Sequence, residues 1–208
     1  MINKLITEYP KLKPCENEIK MGANMLLECF KNGGKLLICG NGGSACDSGH
    51  IAGELLKGFK GKRPLSKEEK AGFKAVLGEE GLDIANSLQG SLPVISLPDQ
   101  TAILTAFNND VDASLSYGQL VYGYGQKNDV LMCISTSGNS KNVVKAAMVA
   151  KVKGLKILSL VGENDCALDQ LSDVTIHAPH TDTAHIQELH LPIYHALCAF
   201  IEEKIFGI

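Results

Sequence analysis

The stretch KLLICGNGGS, residues 35–44, decides the fold of this 208-residue chain. Its first half is a short apolar run of the kind found in strands that are buried on both faces, and its second half is a glycine-rich turn. The next residues, Ala45–Leu56, place apolar side chains at helical spacing. The stretch therefore predicts a strand, a tight turn and a helix, which is the repeating unit of a parallel sheet.

The same unit recurs along the chain. The predicted strands are Lys35–Cys39, Pro93–Leu97, Val130–Ile134, Lys156–Leu160 and Val174–His177. The predicted helices are about Asn17–Lys31, Ala45–Leu56, Thr101–Phe107, Ser114–Tyr124, Ser140–Lys153 and Ala184–Phe206. Strands that alternate with helices at this spacing predict an α/β fold in which helices cover both faces of a parallel sheet.

One region departs from this alternation. Residues 58–90 are rich in Lys, Glu and Gly, and they include a patch of helix-forming residues at Ser66–Leu77. This region predicts two short helices inserted between the first two strand units. A chain of 208 residues supports one substantial core rather than two large ones. We therefore predict a single domain over 1–208, with an N-terminal helix over 10–32 and a helical insertion over about 58–90.

Composition excludes several classes of protein. The formal net charge is −3, which argues against a large basic surface for nucleic acid. No apolar stretch is long enough for a signal peptide or a membrane span. Because seven scattered cysteines form no CxxC pair, we expect a reducing cytoplasm rather than a disulfide framework. No nucleic-acid or membrane partner is expected.

Two polar loops are candidates for anion binding. In the loop Gly40–Ser44, glycines allow the backbone to approach a ligand, and the following helix offers free N–H groups. A tight strand–helix turn explains this loop equally well, and the full dinucleotide-binding pattern is absent.

The loop Ser135–Ser140, STSGNS, is a denser signal. It has four hydroxyls in six residues at the start of a helix. One N-cap residue such as Ser140 is enough to cap a helix, so four hydroxyls are more than capping requires. No Walker lysine follows, so a monophosphate fits better than a nucleoside triphosphate. Both loops follow strands at the carboxyl edge of the sheet, where they can share one small anionic ligand.

Two pairs of side chains are candidates for proton transfer or metal binding. His50 and Glu54 share one face of a helix, and Gln187 and His195 can point towards one site from the last helix. Together the four residues form a plausible Zn²⁺ set, although a Gln ligand is unusual. Equally, Glu54 and His195 could transfer protons without metal, or the pairs could be surface or core residues. Pro192 predicts a kink in the last helix.

Three motifs resemble the sugar isomerase (SIS) family, and most closely its phosphoheptose isomerases. They are GNGGSACDSGHIAGEL (residues 40–55), ISTSGNSKNV (134–143) and IQELH (186–190) with His195. The resemblance covers nearly the whole chain. It implies a three-layer, doubly wound, flavodoxin-like fold with a five-stranded parallel sheet. It also implies interconversion of sedoheptulose 7-phosphate and D-glycero-D-manno-heptose 7-phosphate through a cis-enediol.

The resemblance also assigns roles to residues. Glu54 matches the catalytic base and His195 the catalytic acid. One Zn²⁺ per subunit is implied, with the ligands His50, Glu54, Gln187 and His195. The implied substrate-binding residues are Asn41, Gly42, Gly43, Ser44, Asn109, Asp110, Ser135, Thr136, Ser137, Ser140 and Gln187. The resemblance also implies that this chain forms homotetramers with active sites at the subunit interfaces.

The chain departs from the family pattern at the sugar end of the pocket. Ala184 replaces a frequent Asp, and Gly58 replaces a frequent Arg, with Lys57 and Lys60 nearby. The insertion at 58–90 is also longer than in the shortest members. Two alternatives therefore stay open: an isomerase or sensor for another phosphorylated sugar, and a non-catalytic tetrameric scaffold that binds a replication initiator. The complete set of four candidate site residues favours an enzyme over the scaffold.

Overall fold

The computed structural model describes residues 1–208, and it confirms the predicted five-stranded parallel sheet with the strand order β2-β1-β3-β4-β5. The strands are β1 Leu36–Gly40, β2 Val94–Ser96, β3 Val130–Ile134, β4 Lys156–Val161 and β5 Val174–His177. This order is that of a flavodoxin-like doubly wound sheet, with the switch point between β1 and β3.

Eight α-helices surround the sheet. They are α1 Ile2–Glu8, α2 Glu16–Lys31, α3 Gly43–Leu56, α4 Lys67–Ser87, α5 Thr101–Phe107, α6 Ser116–Tyr124, α7 Lys141–Lys153 and α8 Thr183–Phe206. Short 3₁₀ turns lie at Pro10–Cys15, Ala113–Leu115 and Ala167–Gln170, and a π-helical turn lies at Asn108–Asp112. None of these helices combines the length and apolar character needed to cross a membrane.

The core has two halves, one on each face of the sheet. Leu36 and Ile38 of β1 pack with α1, α2, α3 and α8, whereas Leu37 and Cys39 pack with α6 and α7 on the opposite face. Successive strand residues point to opposite faces, so a run such as KLLIC fills both halves. The three-layer arrangement predicted from the sequence is therefore correct.

The structure differs from the sequence predictions mainly at helix boundaries. The helix expected over 10–32 begins only at Glu16, after a 3₁₀ turn that contains Pro10 and Pro14, and the separate helix α1 precedes it. By contrast, the last helix, predicted over Ala184–Phe206, is confirmed as α8 from Thr183 to Phe206, with Pro192 inside it as expected.

The insertion folds as one helical segment with a break inside it. Residues 67–87 form α4, and Gly78 leaves helical geometry with φ 68° and ψ −145°. Ser66 caps the helix by accepting from the Glu69 N–H, while the Glu69 side chain accepts from the Ser66 N–H. The two short predicted helices correspond to the two sides of Gly78.

Candidate active site

The hydroxyl-rich loop lies between β3 and α7. Ser140 occupies the N-cap position of α7, but its side chain makes no capping bond, contrary to the expectation from sequence. Its hydroxyl instead lies 3.1 Å from the Ser135 hydroxyl. The Asn142 side chain accepts from the Val143 N–H at 3.0 Å, but no side chain accepts from the N–H groups of Lys141 and Asn142, which begin α7 beside the two hydroxyls. Uncapped N–H groups at a helix start favour an anion.

The same loop is braced from behind by the segment after β4. The Asn139 side chain accepts from the Ala167 N–H at 2.9 Å, and the Gly138 carbonyl accepts from the Leu168 N–H at 3.3 Å. Gly138 has φ +63°, and a Cβ there would meet Cys166, so only glycine fits. These contacts brace the hydroxyl-rich loop against the segment that follows β4.

The glycine loop after β1 is tied to the first turn of α7, the helix that follows the hydroxyl-rich loop. The side-chain amides of Asn41 and Asn142 exchange two hydrogen bonds of 2.9 Å each. The Tyr117 hydroxyl donates to the Gly40 carbonyl at 2.6 Å and fixes the start of the glycine loop. The sequence prediction that the two loops meet at one edge of the sheet is borne out by these contacts.

The candidate residues of the glycine loop and of the second strand unit are also located. Ser44 is buried in the first turn of α3. The Gln187 amide lies against Gly43, where a Cβ would come within 2.7 Å of Gln187 Nε2. Asn109 and Asp110 are exposed on the π-helical turn, where the Asn109 amide donates to the Asp110 carboxylate at 2.9 Å.

A cleft connects the hydroxyl-rich loop with the start of α8. Its lining residues include Thr136, Ser137, Asn139, His180 and Thr183. Ile186 of α8 also lines this cleft, and His195 lies nine residues further along the helix, about 13 Å at 1.5 Å per residue. The cleft and His195 are therefore separated along α8.

His50, Glu54 and His195 form a cluster between α3 and α8. His50 Nε2 lies 3.1 Å from Glu54 Oε1 and 3.4 Å from His195 Nε2. The imidazole rings of His50 and His195 meet edge to face, with centroids 5.0 Å apart. His50 and Glu54, which form one candidate pair in the sequence, therefore lie next to His195, which belongs to the other pair.

The cluster fits a metal ion by the chemistry of its donor atoms. One ligand atom from each of the three side chains lies within 4.8 Å of the other two. Unprotonated imidazole nitrogens and carboxylate oxygens all carry lone pairs, so their convergence requires a proton or a cation among them. Two imidazoles and one carboxylate are also a ligand set found at catalytic zinc. The donor atoms present therefore fit Zn²⁺.

The surroundings of His195 favour its neutral form. Burial lowers the pKa of His195, and the adjacent His50 and Lys60 act in the same direction, while Glu54 opposes them. A neutral imidazole can both donate and accept a proton at its two ring nitrogens, and it is the form that binds metal.

Two residues that were not singled out in the sequence support His50 from behind. Tyr194, which is 1% exposed, donates its hydroxyl to Asp47 at 3.1 Å and lies 3.0 Å from His50 Nδ1. Burial raises the pKa of Asp47, and the Tyr194 hydrogen bond opposes this rise. The spacing of Asp47 and His50, three residues apart on α3, was the available signal, since it places both on one helical face.

A buried ion pair joins the two helices that carry the cluster. The only arginine of the chain, Arg63, donates from Nε to Glu202 Oε1 on α8 at 2.8 Å. Its Nη1 and Nη2 donate to the carbonyls of Leu55 and Glu54 at the end of α3. Arg63 therefore replaces the hydrogen-bond partners that the last carbonyls of α3 lack.

Comparison with known proteins gives the family. The SIS domain model matches residues 11–80 and 83–162. The phosphoheptose isomerase of Glaesserella parasuis serovar 5 (strain SH0165) is 35% identical over 203 residues, 97% of this chain and 90% of that protein. That of Helicobacter pylori (strain P12) is 39% identical over 191 residues, 92% of this chain and 86% of that protein. The structure of phosphoheptose isomerase GmhA from Neisseria gonorrhoeae matches with a TM-score of 0.75 at 29% identity, covering 97% of this chain and 94% of that chain.

The doubly wound sheet, with a hydroxyl-rich loop at its carboxyl edge, defines a SIS-domain protein. The chain belongs to the phosphoheptose isomerase family of SIS-domain proteins, and it is a sugar-phosphate isomerase. The resemblance noted in the sequence is thereby confirmed at the level of family, fold and enzyme class. The non-catalytic scaffold is disfavoured, because the relatives described here are named as isomerases.

Proposed function

We propose that this isomerase interconverts sedoheptulose 7-phosphate and D-glycero-D-manno-heptose 7-phosphate, with Glu54 as base and His195 as acid. The convergence of His50 and Glu54 on α3, the helix that starts at the glycine loop, with His195 on α8 carries the proposal. The names of the relatives support the choice of a heptose phosphate.

The hydroxyl-rich loop would hold the phosphate. Ser135, Thr136, Ser137 and Ser140 would donate hydrogen bonds to its oxygens together with the first N–H groups of α7. The glycine loop, with Asn41, Gly42, Gly43 and Ser44, would lie along the sugar, and Gln187, Asn109 and Asp110 would contact its hydroxyls. Binding energy at the phosphate then positions the reacting carbons at the other end.

The chemistry is a proton shift between neighbouring carbons. Glu54 would remove a proton from C1 of the ketose and return it to C2, with the cis-enediol between the two transfers. Neutral His195 would donate a proton to O2 and accept one from O1, so that the ketone becomes an alcohol and C1 becomes the aldehyde. Its lowered pKa suits this role, because a neutral imidazole can act as the electrophile at a carbonyl oxygen.

We propose that His50, Glu54 and His195 hold Zn²⁺, with Gln187 as a fourth ligand, one ion per subunit. When bound, the ion would supply Lewis-acid polarisation of the substrate oxygens. The alternative to a metal ion is a proton shared among the three side chains, which would satisfy the same nitrogen and oxygen lone pairs. Rigorous chelation separates the two, since loss of turnover that zinc restores supports the metal, and unchanged turnover leaves the acid–base pair alone.

We also propose a homotetramer with active sites at subunit interfaces. The resemblance of the sequence motifs to the family supports this assembly, and several large apolar side chains are exposed on the helices. They include Val76, Leu77, Tyr122 and Val152, and Val76 and Val152 are 81% and 89% exposed. Sedimentation velocity tests this proposal, and a monomer at micromolar concentration would contradict it.

Product analysis after incubation with sedoheptulose 7-phosphate tests the function. The wild type should form the aldose, and Glu54→Gln should lose turnover by at least about 10²-fold while it still binds the substrate. Glu80→Gln, an exposed change on α4, is the matched control and should keep full activity. Formation of product by Glu54→Gln at the wild-type rate would remove the base assignment. If the enzyme converts another ketose phosphate and not sedoheptulose 7-phosphate, the substrate assignment is wrong.

A further inference from the structure

The hydroxyl of Tyr194 lies between two side chains of α3. Tyr194 stands on α8 beside His195, and its ring is almost completely buried. Its oxygen is 3.1 Å from Asp47 Oδ1 and 3.0 Å from His50 Nδ1. The rings of Tyr194 and His50 meet edge to face at a centroid distance of 5.4 Å. The contact therefore joins α8 to the back of the histidine whose other nitrogen faces Glu54.

When Asp47 is ionised, the number of hydrogens sets the direction of these bonds. A phenol has one hydrogen, and an ionised carboxylate can only accept. Tyr194 donates to Asp47, so its oxygen is left to accept from His50. His50 must then carry its hydrogen on Nδ1, which leaves Nε2 bare towards Glu54 and His195.

We propose that Tyr194 is a positioning residue, whose hydroxyl, held by Asp47, fixes His50 in the tautomer that keeps Nε2 free of hydrogen. The inference rests on the proposed function in taking Nε2 of His50 as a ligand atom. Histidine ligands commonly donate the hydrogen of their second nitrogen to a fixed acceptor, and loss of that acceptor costs about 10–100-fold in metal affinity. Here the acceptor is a phenol that a carboxylate orients.

An alternative arrangement would reverse every bond. A protonated Asp47 would donate to Tyr194, Tyr194 would donate to His50 Nδ1, and His50 Nε2 would donate to Glu54 across the observed 3.1 Å. That tautomer cannot bind a metal through Nε2. The two arrangements place the ring hydrogen of His50 on different nitrogens, so they can be told apart without any metal.

The experiment is a long-range ¹H–¹⁵N spectrum of the metal-free protein, with the His50 signals identified by His50→Gln. In the wild type we expect hydrogen on Nδ1 and a bare Nε2. In Tyr194→Phe, which removes only the hydroxyl, we expect a substantial population with hydrogen on Nε2, and Asp47→Asn should shift the tautomer in the same direction. Tyr117→Phe also removes a buried hydroxyl, but one that bonds Gly40, and should leave His50 unchanged.

Zinc affinity, measured by competition with a chelating dye, is the second readout. Tyr194→Phe should weaken zinc binding by about tenfold or more, whereas Tyr117→Phe should not. A wild-type His50 with hydrogen on Nε2, or an unchanged tautomer in Tyr194→Phe, overturns the inference. Wild-type protein that binds no zinc contradicts the proposed metal site instead, and the tautomer still decides the role of Tyr194.

Discussion

Arg63 and Glu202 form a buried ion pair that joins the ends of the two helices bearing the candidate active site. The residues Arg63 and Glu202 are 1% and 0% exposed, and Arg63 Nε lies 2.8 Å from Glu202 Oε1. Glu202 also accepts from the N–H groups of Phe59 and Lys60 at 2.8 and 2.7 Å. Although burial alone would raise the pKa of Glu202, these donors and Arg63 hold it below its ordinary value.

Removing one partner of this pair should destabilise the protein strongly. Arg63→Ala leaves a buried carboxylate without its cation, and Glu202→Ala leaves a buried guanidinium, so each should lower the free energy of unfolding by about 3–5 kcal/mol. Urea unfolding measures this loss. The double variant Arg63→Ala/Glu202→Ala should be less destabilised than the sum of the two single changes. Additive single losses would show that the pair is not coupled.

The order of strands and helices could be predicted from sequence because it depends on local pattern. Apolar runs such as Val130–Ile134 end at polar loops, and this strand has the same first and last residues in the structure as in the sequence prediction. The contacts of Arg63 and Tyr194 could not be predicted, because they depend on how α8 packs on α3 about 140 residues away. The prediction that the Ser140 side chain caps α7 was wrong for a related reason. Its hydroxyl contacts the Ser135 hydroxyl on the other side of the loop, a contact that the local sequence does not indicate.

Gly43 should be required for the site because of its close contact with Gln187. Its backbone conformation is one that other residues also adopt. A Cβ at Gly43 would lie 2.7 Å from Gln187 Nε2, so Gly43→Ala should displace that amide and lower kcat/KM by about tenfold, given roughly 1.5 kcal/mol for a lost polar contact. Gly53→Ala lies on the same helix and meets nothing within 4 Å. It should keep activity and raise stability by up to about 1 kcal/mol. Equal activity of the two variants contradicts the role of the Gly43–Gln187 contact.

The hydroxyls of the phosphate loop should contribute to binding rather than to chemistry. Ser140→Ala removes the hydroxyl next to Ser135 and should raise KM by about tenfold or more, since a hydrogen bond to a charged group is worth about 1.5–3 kcal/mol. Steady-state kinetics should show a smaller change in kcat than Glu54→Gln causes. Ser87→Ala, on the exposed surface of α4, serves as the control. A loss confined to kcat in Ser140→Ala would place that hydroxyl at the reacting end of the substrate.

His190 should make the stability of the fold sensitive to mild acid. It is fully buried on α8, its Nε2 lies 3.2 Å from the Val161 carbonyl, and burial lowers its pKa to about 4. In the unfolded chain the imidazole binds its proton near pH 6.5, so between about pH 6.5 and 4 the unfolded state holds more protons than the folded state. The stabilising contribution is therefore complete above about pH 6.5 and is lost as the pH falls, by up to about 1.4 kcal/mol per pH unit.

His190→Gln tests this dependence because its amide can still donate to Val161 but does not titrate. Urea unfolding between pH 7 and 4.5 should show a shallower fall in stability for this variant than for the wild type. His185→Gln replaces an exposed histidine of the same helix and should not flatten the curve. Parallel curves for the wild type and His190→Gln would mean that His190 takes up a proton in the folded state, and that α8 opens near Val161 to let it do so.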